Sequence, residues 1–228
     1  CSSDLRSFHP YFTTQSNSLV SSYIKKYSNK KDLILDSFCG SGVTLLESQL
    51  LSRYSIGFDV SRLACLISDI STTSFKNQNK LDKQFENIID KFEKKKTSKE
   101  KLKFKRTIFK NYKLPKNADL KNVKDLFTKK NLLHLKILKS IIDEIENKKY
   151  KLLFLSIFSG ILHRASKTFF YDKLKWGGGN SSIFTKYRYW VPKKPDERDV
   201  LNLFKIRFSR MKSVIKKTNS NLNELYKP

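Results

Sequence analysis

The chain has 228 residues, 47 Lys and Arg against 21 Asp and Glu, a formal charge of +26 at neutral pH, and three cysteines. That length suits one large domain or two small ones with a buried core, and 13% aromatic residues with long Leu/Ile/Phe runs argue against global disorder, although the apolar share is only 39%. The longest apolar stretch, Leu152 to Leu162, is interrupted by Ser156, Ser159 and Gly160 and falls short of the ~20 residues that a membrane-spanning helix needs.

Cys1, Cys39 and Cys65 offer neither a CxxC pair nor an even-numbered set, which speaks against a disulfide scaffold or a zinc ribbon and makes a reducing, cytoplasmic setting the expectation. The chain starts Cys-Ser-Ser-Asp-Leu-Arg, without Met or a signal-peptide pattern, as a piece of something longer would. Most of the basic residues are lysine, and many of those are simply solvated surface. An excess of this size still favours a phosphate-bearing partner, because neutralising phosphates releases counterions. Composition alone therefore makes nucleic acid the leading partner.

In chain order, His9-Pro10-Tyr11-Phe12 introduces a helix over Ser18 to Tyr27. Leu33-Ile34-Leu35 is a short apolar run suited to a buried parallel strand; it ends at Asp36 and is followed by Ser37-Phe38-Cys39-Gly40-Ser41-Gly42. Val43 to Ser52 reads as a helix, Tyr54 to Phe58 as a second strand ending at Asp59, and Ser61 to Asp69 as another helix on which Cys65 is expected in the core. Strand, glycine turn, helix, strand, acid makes one βαβ unit.

Residues 80–96 form a Lys-rich helix with Leu81, Phe85, Ile88, Ile89 and Phe92 at helical spacing. Residues 97–125 are the least patterned stretch, and Pro115 marks a loop in it. Thr128 is placed to cap a helix whose Leu132, Leu135, Leu138, Ile142 and Ile145 make an apolar stripe. A long helix follows over Tyr150 to Lys167. Phe169 to Asp196 then mixes aromatics, three consecutive glycines and cations, and Val200 to Ile215 is a basic helix. His134 and His163 fall within helical apolar stripes and read as packed or half-exposed side chains. No metal-ligand cluster is visible.

A glycine turn between strand and helix brings backbone N–H groups and the positive helix end to a ligand. A carboxylate closing the second strand can accept both hydroxyl protons of a ribose. The spacing from Asp36 to Asp59 is 59 − 36 = 23 residues, near the roughly 20 of nucleoside-binding βαβ units. Gly40 and Gly42 are present, but Leu45 stands where a third phosphate-loop glycine would be, and no Gly-Lys-Ser/Thr occurs. An acid before the turn repels a pyrophosphate and suits a cationic or zwitterionic ligand. That moves the expected cofactor from NAD to S-adenosylmethionine (AdoMet). Cys39 reads as a small packing residue of the turn, not a nucleophile.

Asp36-Ser37-Phe38-Cys39-Gly40-Ser41-Gly42-Val43-Thr44 resembles the AdoMet-binding motif of amino-methylating DNA methyltransferases, the N6-adenine and N4-cytosine group. Ser37 replaces the family's proline. His9-Pro10-Tyr11-Phe12 resembles the family segment that closes over the methionine end of the cofactor, and Ile56-Gly57-Phe58-Asp59-Val60 resembles its ribose-binding strand end. Residues 126–133 and 188–195 are similar to segments of one subgroup. The resemblance implies AdoMet as cofactor, held by Asp36, Phe38, Cys39, Gly40, Ser41, Gly42, Thr44 and Asp59 with His9 and Tyr11. It implies DNA as partner, and a partial Rossmann-like α/β methyltransferase fold with a large helical insertion. The expected division is a cofactor-binding region over 1–75, a helical insertion over 76–168, and an aromatic and basic DNA-facing region over 169–228.

Rings, glycines and cations in one segment suit the gripping of flipped or unpaired nucleotides. The expected DNA contacts are Arg164, Lys167, Lys173, Lys175, Trp176, Lys186, Arg188, Tyr189 and Trp190. One family feature is missing. The family's catalytic motif, Asp/Asn/Ser-Pro-Pro-aromatic, holds the target amino group and stacks on the flipped base, whereas prolines occur here only at 10, 115, 192, 195 and 228. No catalytic residue is therefore assigned, and the chain is expected to be part of a methyltransferase whose catalytic region lies beyond Pro228 or on another chain. An RNA methyltransferase and a non-catalytic nucleic-acid-binding module are the alternatives.

Overall fold

The structure, a computed structural model, describes residues 15–97, 112–168, 170–171, 180–181, 191, 193 and 196–225. Its elements are α1 (Asn17–Tyr27), β1 (Leu33–Asp36), α2 (Val43–Leu50), β2 (Tyr54–Gly57), α3 (Arg62–Ser71), α4 (Gln78–Thr97), a 3-10 turn at Val123–Leu126, α5 (Lys129–Asp143), α6 (Lys148–Ala165), β3 (Phe170–Tyr171), β4 (Asn180–Ser181) and α7 (Val200–Leu225). The chain is mixed α/β and mostly helical. None of the described helices is long and apolar enough to cross a membrane.

Two compact units are present. One gathers residues 1–81, 147–157 and 208–228; the other gathers 82–146 and 158–207.

In the first unit β1 and β2 pair in parallel, Leu33 opposite Tyr54 and Leu35 opposite Ile56. The expected βαβ unit is thus present, but β1 is not the buried strand expected: Leu33 and Leu35 are exposed, and only Ile34 turns toward α2. One face of this sheet lies under α2: Ser55 donates to the Leu45 carbonyl at 3.3 Å, and a Cβ on Gly57 would sit 2.7 Å from Leu45 Cδ1 and 2.8 Å from Cys39 Cβ. Only glycine at 57 lets helix and strand approach this closely.

Helix α1 is fastened to this unit at both ends. Asn17 Nδ2 donates to Glu47 Oε1 at 3.0 Å, both residues being buried. Beyond its C-terminus the Arg53 guanidinium donates to the Ser28 hydroxyl at 3.1 Å, the Ser28 carbonyl at 2.7 Å and the Leu51 carbonyl at 2.6 Å.

Helix α7 runs to Leu225, ten residues past the expected Ile215. The polar sequence after Ile215 hides a tertiary anchor. The Asn219 side chain donates to the Phe75 carbonyl at 2.7 Å and accepts from the Phe75 N–H at 3.2 Å and the Ser74 hydroxyl at 3.1 Å. The amide satisfies a backbone donor and acceptor together, as a neighbouring strand would. Phe75 is buried here against Tyr150, with the Lys149 ammonium 4.8 Å above its ring.

The second unit is built from helices. Thr128 caps α5 as expected, its hydroxyl accepting from the Asn131 N–H at 3.1 Å. Leu135, Ile137, Leu138, Ile141 and Ile142 of α5 are buried, and His134 lies edge-on to Phe92 of α4 with ring centroids 5.5 Å apart. Asn131, itself buried, donates to the carbonyls of Ala165 and Arg198, each at 3.0 Å. It thereby ties the start of α5 to the end of α6 and the approach to α7. Phe85 stacks on Phe204 at 6.0 Å.

Candidate cofactor site

The turn after β1 is built by glycines in left-handed backbone, Gly40 at φ +50° and Gly42 at φ +79°. Gly42 then caps α2. Side chains at this position would be strained by backbone and crowded by packing, since a Cβ on Gly42 would lie 2.9 Å from Ser68 Cα.

The turn is held from three sides. The Cys39 N–H donates to the Phe58 carbonyl at 2.9 Å, joining it to the end of β2. The Gly40 N–H donates to Asp59 Oδ2 at 2.9 Å, while Asp59 Oδ1 accepts from the Ser61 N–H at 2.8 Å. From behind, the buried Ser68 of α3 donates its hydroxyl to the Gly40 carbonyl at 2.9 Å. Asp59 therefore sets the geometry of the turn, and its carboxylate retains acceptor capacity beyond those two hydrogen bonds, because each oxygen has two lone pairs. Asp36 Oδ1 accepts from the Phe38 N–H at 3.1 Å, so the first acid shapes the start of the turn.

At this end of the strands Phe38, Phe58 and Val60 present exposed apolar surface. Two carboxylates, a left-handed glycine turn at a helix N-terminus and uncovered apolar side chains can together accept vicinal hydroxyls, carry a positive charge and cover a flat ring system.

Cys39 is buried with its Sγ 3.7 Å from Ser68 Oγ. Burial pushes its thiol up, the Ser68 hydrogen bond partly offsets this, and the Asp36 and Asp59 charges add to the rise. A thiol held protonated is a poor nucleophile, in keeping with the packing role expected from the sequence.

Cys65 departs from expectation: it is exposed, its Sγ donating to the Asp59 carbonyl at 3.5 Å. The buried face of α3 is Ala64, Ile67, Ser68, Ile70 and Ser71. Small residues were needed to back the turn, and that rotates Cys65 outward.

Of the expected cofactor residues, Asp36, Phe38, Cys39, Gly40, Ser41, Gly42, Thr44 and Asp59 lie together in and around this turn. His9 and Tyr11 lie outside the described residues, as do Lys173, Lys175, Trp176, Lys186, Arg188, Tyr189 and Trp190. In the second unit Arg164 is half-buried at the end of α6. Lys167 donates its ammonium to the Asp125 carbonyl at 2.9 Å and its N–H to the Leu126 carbonyl at 2.7 Å. No group of three or more His, Cys, Asp or Glu able to hold a metal occurs among the described residues. Ser68, Glu47, Asn17 and Arg53 were not singled out by the sequence. For Ser68 and Glu47 the one signal was a polar residue within the apolar helices α3 and α2.

Strand, left-handed glycine turn, helix, strand and closing carboxylate form one βαβ unit, which the comparisons with known proteins place beside known families. Residues 2–69 match the DNA methylase family N6_N4_Mtase. That stretch is about 30% of the chain, and over it the chain is similar to DNA methylases of this family. An 83-residue stretch is 35% identical to the type II methyltransferase M.MjaII of Methanocaldococcus jannaschii, covering 36% of this chain and only 16% of that protein's length. No solved structure gives a significant match to the chain.

Proposed function

We propose that the chain supplies the cofactor-binding part of a DNA methyltransferase that moves a methyl group from AdoMet to the exocyclic amino group of adenine (N6) or cytosine (N4), as in restriction-modification. The observation that carries this reading is the turn itself: two left-handed glycines at the end of β1, locked by the carboxylate that ends β2. The family match over residues 2–69 supports it. The fold in this reading is part of a Rossmann-like methyltransferase, with 1–75 as the cofactor region, 76–168 as a helical insertion and 169–228 facing DNA.

Asp59 would accept the ribose hydroxyls, Asp36 and the Gly40-Ser41-Gly42 turn would hold the zwitterionic end, and Phe38 and Val60 would cover the base. When bound, AdoMet supplies a methyl group made electrophilic by its sulfonium. The chain's own residues position it and exclude water; the displacement needs no covalent enzyme intermediate. Arg164, Lys167, Lys175, Trp176, Lys186, Arg188, Tyr189 and Trp190 are the proposed DNA contacts. The prolines lie singly at 10, 115, 192, 195 and 228, so the residues that grip the target amino group belong to other polypeptide.

Titration calorimetry with AdoMet tests the cofactor assignment. One site is expected, and Asp59→Asn weakens it by about 10- to 100-fold, the worth of a charge-assisted hydrogen bond, while keeping an oxygen to accept from Ser61. Absence of any binding heat in the unsubstituted chain would leave a nucleic-acid-binding module as the better reading.

A further inference from the structure

The Gly40–Ser41 peptide is the middle of the glycine turn, which the Gly42 N–H closes on the Cys39 carbonyl at 2.8 Å. Asp59 holds the preceding peptide plane through the Gly40 N–H at 2.9 Å. Gly40 itself, at φ +50°, has no Cβ to set the tilt of the plane that follows it. Ser68 of α3, only 4% exposed, reaches that plane: its hydroxyl donates to the Gly40 carbonyl at 2.9 Å. Ser68 is fixed in turn. Cys39 Sγ lies 3.7 Å from its hydroxyl, and its own carbonyl accepts from the hydroxyls of Ser71 and Thr72, each at 2.9 Å.

A trans peptide unit is planar, so its C=O and N–H point in opposite directions. With the Gly40 carbonyl turned back to α3, the Ser41 N–H is turned away from α3. This N–H has no partner among the described residues. Were the plane to flip, the carbonyl oxygen would take its place and offer a partial negative charge instead. The Ser68 hydroxyl therefore favours the orientation in which the middle of the turn presents a donor.

We propose, resting on the AdoMet reading above, that Ser68 is a positioning residue for the carboxylate end of the cofactor, acting through the Gly40–Ser41 peptide to keep the Ser41 N–H aimed at an anionic group. Of the parts of AdoMet, only the amino-acid end carries a carboxylate, whereas the ribose is assigned to Asp59. Loss of the Ser68 hydroxyl is thus felt at one end of the ligand and not at the other.

The test is titration calorimetry of the 228-residue chain with two probes, AdoMet and 5′-methylthioadenosine, which keeps the adenine, ribose and sulfur but lacks the amino-acid end. Ser68→Ala is expected to weaken AdoMet about 10-fold, the penalty of a carbonyl left without its donor, and to change methylthioadenosine by less than about twofold. Ser68→Thr, which keeps the hydroxyl, and Ser71→Ala, which removes a neighbouring buried hydroxyl of the same helix, should both hold the parent ratio of the two affinities. If Ser68→Ala does not fold, NMR of the unsubstituted chain gives the second readout: the Ser41 amide proton should shift with AdoMet and stay in place with methylthioadenosine.

Equal weakening of both probes by Ser68→Ala makes the serine a packing element and overturns the proposal. So does an unchanged AdoMet affinity, or a Ser41 amide that responds alike to both probes. An unsubstituted chain that binds neither probe removes the AdoMet reading itself and the role of Ser68 with it; one that binds AdoMet with a ratio that Ser68→Ala does not move removes only the role of Ser68.

Discussion

The two units use polar side chains in opposite ways. Around the glycine turn, Asp59, Asp36 and Ser68 grip backbone atoms that are close to them in space and set a local shape, while Leu33, Leu35, Tyr54 and Ile56 on the other face of the sheet are exposed. In the helical unit the chief polar fastening, Asn131, sits inside a sealed apolar core and joins segments 34 and 67 residues away. In the function proposed above, the first arrangement prepares a surface for AdoMet; the second holds helices together. Polar groups of similar burial therefore carry different consequences when removed.

Gly42→Ala gives the largest expected change. The left-handed backbone costs about 1–2 kcal/mol for a residue with a Cβ, and the contact with Ser68 adds overpacking of about 1–3 kcal/mol. Chemical denaturation should show a loss of about 3 kcal/mol together with loss of AdoMet binding. If Gly42→Ala unfolds no more easily than the parent, the turn is not the strained element described here.

Asn131→Ala follows. It strands two carbonyls that Asn131 now satisfies, and should lower stability by about 2 kcal/mol with AdoMet affinity unchanged. A fall in AdoMet affinity at a temperature where the variant is fully folded would dissolve the distinction between the units.

The smallest effect concerns pH. Burial, with the neighbouring Arg164 charge, lowers His163 from 6.5 to about 4. Between those values the unfolded chain binds a proton that the folded chain does not, so this contribution to stability is complete above about pH 6.5 and is lost as pH falls towards 4. Because the imidazole is partly solvated, the slope should be modest. His163→Gln should flatten it in denaturation midpoints taken across that range, and an unchanged slope would assign the acid sensitivity elsewhere.

Much of the architecture could be read from local pattern. Leu33-Ile34-Leu35 ending in an acid, the glycines at 40 and 42, the second acid at 59 and the Thr128 cap each depend on residues within a few positions, and each element is found where the pattern puts it, although Leu33 and Leu35 are exposed where a buried strand was expected. What local pattern could not supply were pairings across long sequence gaps. Asn17 with Glu47, Arg53 with Ser28 and Asn219 with Phe75 are polar residues whose partners are chosen by tertiary folding. Helix α7 outran its apolar stripe because of one such pairing. Cys65 turned outward because α3 had to offer Ser68 and Ala64 to its buried side. In the site itself, the acids and glycines were legible, but Ser68 was not, since a serine in an apolar helix carries no mark of the carbonyl it will meet.

The hook of Asn219 onto Ser74 and Phe75 also sets a schedule for biosynthesis. Its partners are separated by 145 and 144 residues, and at roughly 5–20 residues per second a ribosome needs on the order of 10–30 s to make the intervening chain. During that interval the nascent glycine turn and its strands have emerged without the helix that fastens Phe75. Closing so long a loop adds little equilibrium penalty, because loop entropy grows only logarithmically with length, but it delays folding. Until then the exposed apolar face of the two-stranded sheet is without the fastening that Asn219 gives to Phe75, the kind of surface that invites aggregation while translation runs on.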